Sequence, residues 1–150
     1  MIFLFAIDVD DIINKMNSAL KKYGGYMALF VETHKDKETK IYTGTLRVKF
    51  PDKFRMDYDQ PAGQLICSDG AKLWVYLPSL KLVGEQDISR GEEFLGSAAV
   101  GLARIKGSYN IRYLGKESLG YRLVLRPKRA GAGFSKVEVW IDPNLWIVVK

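Results

Sequence analysis

One stretch, residues 44–77, constrains the fold of this chain more than any other. It reads GTLRVKFPDKFRMDYDQPAGQLICSDGAKLWVYL. Apolar side chains keep one parity, Leu46, Val48 and Phe50, then Phe54, Met56 and Tyr58. Charged side chains keep the other, Arg47 and Lys49, then Arg55 and Asp57. A period of two describes strands of a sheet with one solvated and one apolar face. Pro51-Asp52, Asp59-Gln60-Pro61 and Ser68-Asp69-Gly70 supply the turns.

Extending this pattern predicts strands at 26–34, 41–50, 54–58, 64–67 and 72–77, with a sixth at 81–83, in a simple meander. Residues 35–40 form a charged hairpin tip. On the fourth and fifth strands Trp74 and Tyr76 compete with Leu73 and Val75 for the inward face. Further strands are expected at 109–114, 121–126, 134–141 and 145–149, with a turn at Asp142-Pro143-Asn144. The chain stops straight after an apolar run. An unpaired final strand is a liability, so more strands are expected beyond it.

Two segments follow helical spacing instead. Val9, Ile12, Ile13, Met16, Ala19, Leu20 and Tyr23 mark one face of a helix that must pack on something. Asp8 is placed to cap it, Asp10 and Asp11 favour its first turn, Lys21 and Lys22 its last, and Gly24-Gly25 stop it. Residues 87–106 carry Phe94, Leu95, Ala98, Ala99, Val100, Leu102 and Ala103 among Gly91, Gly96 and Gly101. Each glycine weakens a helix by about 1 kcal/mol relative to alanine. This segment reads as a loosely held helical lid, or as a helix closing one end of a barrel.

At 150 residues the chain is read as one domain spanning 1–150. Met1 to Ile7 (MIFLFAI) is too short to span a membrane. It reads either as the stump of a secretory signal or as an apolar lead-in to the first helix. The single cysteine, Cys67, allows no internal disulfide and reads as a small buried filler.

The search for chemistry is mostly negative. The one histidine, His34, sits near a hairpin tip and reads as solvated. No Cys/His/carboxylate cluster has zinc spacing, and no cofactor is expected. Asp57 and Asp59 are two apart, but a solvated face explains them better than a hydrolytic pair. Gly131 and Gly133 match no phosphate loop. The net charge of +6 and the basic residues Arg122, Arg126, Lys128 and Arg129 are compatible with nucleic acid. Single-strand binders, however, set aromatics beside their cations, whereas Phe50, Phe54 and Tyr58 lie opposite Arg47, Lys49 and Arg55. Nucleic acid is therefore not expected as a partner. What remains is an apolar concavity under a curved sheet, able to enclose a ligand or simply to fill itself. Tyr26 and Tyr76 are candidates to set hydroxyls at its rim.

The same residues carry a family resemblance. Gly44, Leu46, Val48, Pro51, Phe54 and Arg55, followed by Ser68, Asp69, Gly70, Leu73, Trp74 and Tyr76, resemble the periplasmic outer-membrane lipoprotein carrier family, LolA, in residue type and spacing. Tyr109-Asn110-Ile111 and Leu125-Arg126-Pro127-Lys128 resemble it as well. The resemblance implies a mainly β protein, a half-open antiparallel β-barrel with an N-terminal helix and a helical lid. It implies a monomeric, non-enzymatic carrier in the periplasm that binds the acyl chains of acylated lipoproteins. Its partners would be an inner-membrane lipoprotein-releasing transporter and an outer-membrane acceptor, with transient contact at membrane surfaces. The basic turn 126–129 would face anionic headgroups or plain solvent.

Under that resemblance the cavity residues are Leu46, Val48, Phe50, Phe54, Met56, Tyr58, Leu73 and Val75, and the lid residues Phe94, Leu95 and Leu102. One departure stands out. The family's arginine before the proline, which ties lid to barrel, is here Phe50, so an apolar contact to Phe94 or Leu95 is expected in its place. The alternatives are an envelope sensor of lipoproteins with a related fold, and a lipid-modifying enzyme, which the missing catalytic cluster disfavours.

Overall fold

The computed structural model describes residues 7–35, 37–60, 62–88, 106–129 and 135–150. One helix, α1 (Val9–Tyr23), precedes two antiparallel sheets. The first runs in chain order through β1 (Gly25–Lys35), β2 (Thr39–Lys49), β3 (Lys53–Gln60), β4 (Leu65–Ser68), β5 (Lys72–Leu77) and β6 (Leu82–Asp87). The second holds β7 (Tyr109–Glu117), β8 (Gly120–Pro127) and β9 (Val137–Ile141). The meander expected from the alternation is therefore present, and the architecture is that of a half-open barrel with a helix. Residues 89–105 of the segment read as a lid, with Phe94, Leu95 and Leu102, lie outside the described residues, as do Met1 to Ala6.

Helix α1 starts in a reciprocal capping box. The Asp8 carboxylate accepts from the Asp11 backbone N–H at 2.9 Å, and Asp11 accepts from the Asp8 N–H at 3.2 Å. It ends at Gly24, whose φ of 72° is left-handed and whose N–H bonds the Leu20 carbonyl. The helix bridges both sheets. Ile12, Ile13 and Met16 pack with Tyr109, Leu123, Leu125, Val139 and Ile141 of the second sheet. Leu20, one turn on, packs with Val48, Phe54, Met56 and Tyr58 of the first.

Two strand readings need correcting. Asp87, assigned to the lid helix, ends β6, which runs to Asp87 rather than stopping at 83. The segment LVGEQD has no alternation and is wholly exposed. It is a strand because a short 3-10 turn at Pro78–Leu80 folds it back on β5, where every residue finds a register partner from Leu77↔Leu82 to Lys72↔Asp87. Glu85 then takes Lys72 at 2.6 Å and the Trp74 indole N–H at 3.1 Å.

Residues 145–149 form no full strand. The Asp142 carboxylate accepts the backbone N–H groups of Asn144 and Leu145 at 2.8 and 2.7 Å, and Trp146 turns to a φ of 57°. Its ring stacks on Tyr121 at 5.4 Å under the Lys15 ammonium. Beyond this turn the chain still pairs with β9. Val149 donates to the Trp140 carbonyl, and Trp140 donates to that of Lys150. An isolated bridge joins Ile141 to Val148.

Candidate functional site: the concave apolar face of the first sheet

The registers of the first sheet line its inward side chains into cross-strand rows. One row is Ala28, Leu46, Met56, Ile66 and Val75. The next is Tyr26, Val48, Phe54, Ser68 and Leu73. A third places Phe30 opposite Gly44 and Gly44 opposite Tyr58. The sequence-derived residues Leu46, Val48, Phe54, Met56, Tyr58, Leu73 and Val75 thus share one face, and Phe50 packs against it from the turn after β2. Leu73 and Val75, not Trp74 and Tyr76, take the inward parity. Tyr76 is exposed and cannot serve the rim, while Tyr26 sits in the second row.

Val48, Phe54, Met56, Tyr58 and Leu73 are buried, whereas Leu46, Phe50 and Val75 are only half-buried. Leu20 and Ile88 cover part of the face. Ile88 is held by its N–H to the Ala71 carbonyl at 2.8 Å, so the chain leaves β6 on the concave side. The residues that sequence reasoning missed are Ala28, Phe30 and Ile66. Their parity with Tyr26 and Val75 was the available signal, but it becomes readable only once the register is known. Ser68, the one polar member of the rows, is satisfied because its Oγ accepts from the Gly70 N–H at 3.0 Å.

The opposite face is where the charges went. Asp57 accepts from Arg47 at 2.7 Å and from Arg55 Nη2 at 2.8 Å, and the hydrogen bond from Arg55 chiefly holds its carboxyl below the usual range. Asp59 falls in a bulge between the Gly44↔Tyr58 and Thr43↔Gln60 pairs, so the two acids form no working pair. Cys67 lies on this outer face, opposite Trp74 and half-buried, rather than in the interior. Arg122 is engaged by Glu117 and Glu138 at 2.9 and 2.8 Å and is not a free cation.

Burial on the concave side raises two phenols. Tyr26 is pushed up to about 12 by burial alone. Tyr58 is raised by burial first and then by its hydrogen bond to Glu32. A separate cleft of about 410 Å³ opens at the start of α1, lined by Asp8, Asp10, Tyr109, Asn110 and Lys128 among others. It is distinct from the apolar face. Among the described residues no three His, Cys, Asp or Glu side chains gather as a metal site. No helix among them is long and apolar enough to cross a membrane.

The fold is a half-open antiparallel barrel whose first sheet is apolar on its concave face and on its convex face carries the ion pairs of Arg47, Arg55 and Asp57 beside the exposed Met27, Leu29 and Val31. Residues 21–149 match the family model of the outer membrane lipoprotein carrier protein LolA, and the chain belongs to that family. It is 31% identical over 111 residues to the outer-membrane lipoprotein carrier protein of Chromobacterium violaceum, a match covering 72% of this chain and 53% of the relative. It is 28% identical over 135 residues to that of Haemophilus ducreyi, covering 88% and 63%. The chain therefore spans between half and two-thirds of the length of these relatives. A crystal structure of a Vibrio parahaemolyticus domain shares the fold at 19% identity and a TM-score of 0.53, covering 92% of this chain and 68% of that one.

Proposed function

We propose that this chain carries acylated lipoproteins by sheltering their acyl chains on the concave face of the first sheet. The carriage would run through the periplasm, from an inner-membrane lipoprotein-releasing transporter to an outer-membrane acceptor. The observation that carries this reading is the pair of unbroken apolar rows through Leu46–Met56–Ile66–Val75 and Val48–Phe54, whose members at Leu46 and Val75 remain half-open. Membership of the lipoprotein carrier family supports it.

The physics is non-covalent. Each methylene moved from water to such a face gains about 0.8 kcal/mol, so a few acyl chains supply ample affinity without any chemical step. Phe50 stands in the cavity set where the family arginine would stand, so release from this chain is governed by an apolar contact rather than a polar one.

The test sets two charge insertions against each other, Leu46→Glu on the concave face and Leu29→Glu on the convex one, where Leu29 is 85% exposed. Binding of a fluorescent acyl probe is measured for both. The reading expects a loss of tenfold or more in the first and none in the second, the order of cost for a charge placed against an apolar contact. Equal affinity in both variants refutes it.

A further inference from the structure

We infer that the outward face of the second sheet is a docking surface for a bilayer carrying anionic phospholipid headgroups. This face is separate from the acyl-binding one, and the inference holds whatever that one carries. It starts from how charge is divided along the chain. Residues 106–150 hold nine lysines and arginines against three acids, a surplus of six that equals the net charge of the whole chain. Residues 1–105 hold fourteen of each and balance. Every charged residue of 106–150 is among those described. A surplus confined to one part of a molecule sets up a local field that draws anions to that part.

The ladders place this surplus on one side. Ile111, Leu123, Leu125 and Val139 turn inward and pack with α1. The alternate positions turn outward. Arg112 pairs with Val124 and Arg126 with Asn110, so these two exposed arginines are diagonal neighbours across β7 and β8. Arg129, also exposed, follows in the turn after β8. The three acids are already engaged. Glu138 is held by Arg122 and Lys136 at 2.8 and 2.7 Å, and Glu117 by Arg122 at 2.9 Å. Asp142 accepts from the backbone N–H groups of Asn144 and Leu145. Among the described residues none of Arg112, Arg126 and Arg129 sits in an ion pair. Like charges set close together on a sheet face cost stability, and an anionic surface removes that cost.

The form of the patch narrows the partner. Its cations are spread along a ladder rather than converging on one point, which suits a plane of many headgroups. Trp140 stands on the same face, paired with Arg122 across β8 and β9. The Arg122 guanidinium lies 5.5 Å and the Lys150 ammonium 4.9 Å from its ring centre, and its indole N–H donates to Glu117 at 2.8 Å. A ring covered in this way is closed to the base stacking that single-stranded nucleic acid needs. A half-buried indole flanked by cations is instead suited to the headgroup level of a bilayer. Val149, bonded to the Trp140 carbonyl and 48% exposed, adds apolar contact beside it.

The experiment measures co-sedimentation of the full chain with two kinds of vesicle, phosphatidylcholine alone and equal parts phosphatidylcholine and phosphatidylglycerol. The proteins are wild type, the double variant Arg112→Gln/Arg126→Gln, and the double variant Lys49→Gln/Lys53→Gln. The last pair removes the same charge from exposed positions of the first sheet. Circular dichroism checks the fold of each. Wild type should prefer the anionic vesicles and should lose that preference between about 0.1 M and about 1 M salt. Each cation on such a surface is worth about fivefold in partition, so the arginine pair should lose about 25-fold. The lysine pair should bind as wild type does. Equal partition of wild type onto both vesicles, or onto neither, overturns the inference. Equal losses in the two double variants also overturn it, since net charge rather than this face would then set the affinity. Tighter binding to polyglutamate or to a single-stranded oligonucleotide than to the anionic vesicles overturns it in favour of an acidic macromolecule.

Discussion

Replacing Gly44 by alanine should damage the first sheet, and the structure says by how much and why. Gly44 lies at the β2–β3 bulge, between Phe30 and Tyr58. A Cβ built there would stand 2.1 Å from the backbone oxygen of Asp57 and 2.7 and 2.8 Å from Phe30 ring atoms. The ring can turn away. The carbonyl cannot, because it belongs to β3. Bringing a 2.1 Å contact out to 3.0 Å asks the two strands to part by 0.9 Å. Overpacking of this kind costs about 1–3 kcal/mol, and a contact with backbone belongs at the upper end. Against it stands a gain of about 0.4–1 kcal/mol from the stiffer unfolded chain.

Gly84→Ala is the control. It lies in the same sheet, and its nearest neighbour is the Val75 oxygen at 3.9 Å, so only the favourable effect applies. Urea unfolding followed by the fluorescence of Trp74, Trp140 and Trp146 reads both. With a slope of about 2 kcal/mol per molar, Gly44→Ala should lower the midpoint by about 1 M while Gly84→Ala holds or raises it. Coincident midpoints for the two variants would refute the argument that backbone proximity, rather than glycine content, sets the requirement.

Two pH effects follow from the cited shifts. The Asp57 carboxyl is held below its ordinary value of 3.8, by Arg55 first and Arg47 after. Its contribution is therefore present above that value and lost as pH falls through the lower folded one. The three side chains are partly solvated, so the contribution is about 0–1 kcal/mol. Asp57→Asn should flatten the loss of stability below about pH 4, and an unchanged acid slope in urea titrations would count against it. Tyr26 behaves in the opposite sense. Its phenol ionises near 10.0 when unfolded and near 12 when folded, so its contribution is complete below 10.0 and disappears as pH rises through about 12. Tyr26→Phe should blunt alkaline unfolding in that window, checked by following tryptophan fluorescence against pH.

The helix and its limits were legible in the residues themselves. Asp8, Asp11 and Gly24 act on backbone groups one turn away, so their roles need no tertiary information. The alternation in 44–77 likewise assigned Val48, Phe54, Met56 and Tyr58 to one face before any coordinates. The strand β6 and the last residues were read wrongly for the converse reason. Leu82–Asp87 has no pattern of its own and is held by β5, and residues 145–149 are turned aside by the carboxylate of Asp142 and the stacking of Trp146.

Local periodicity, then, settled which side chains are greasy and which are wet along each strand, because neighbours in sequence point to opposite faces whatever surrounds them. Register settled the rest. Only the pairing of β1 with β2, and of β2 with β3, brings Glu32, Tyr42 and Tyr58 to one end of the apolar rows, since contacts between residues 26 apart depend on how strands slide past one another. That offset is fixed by bulges and by burial summed over the whole sheet.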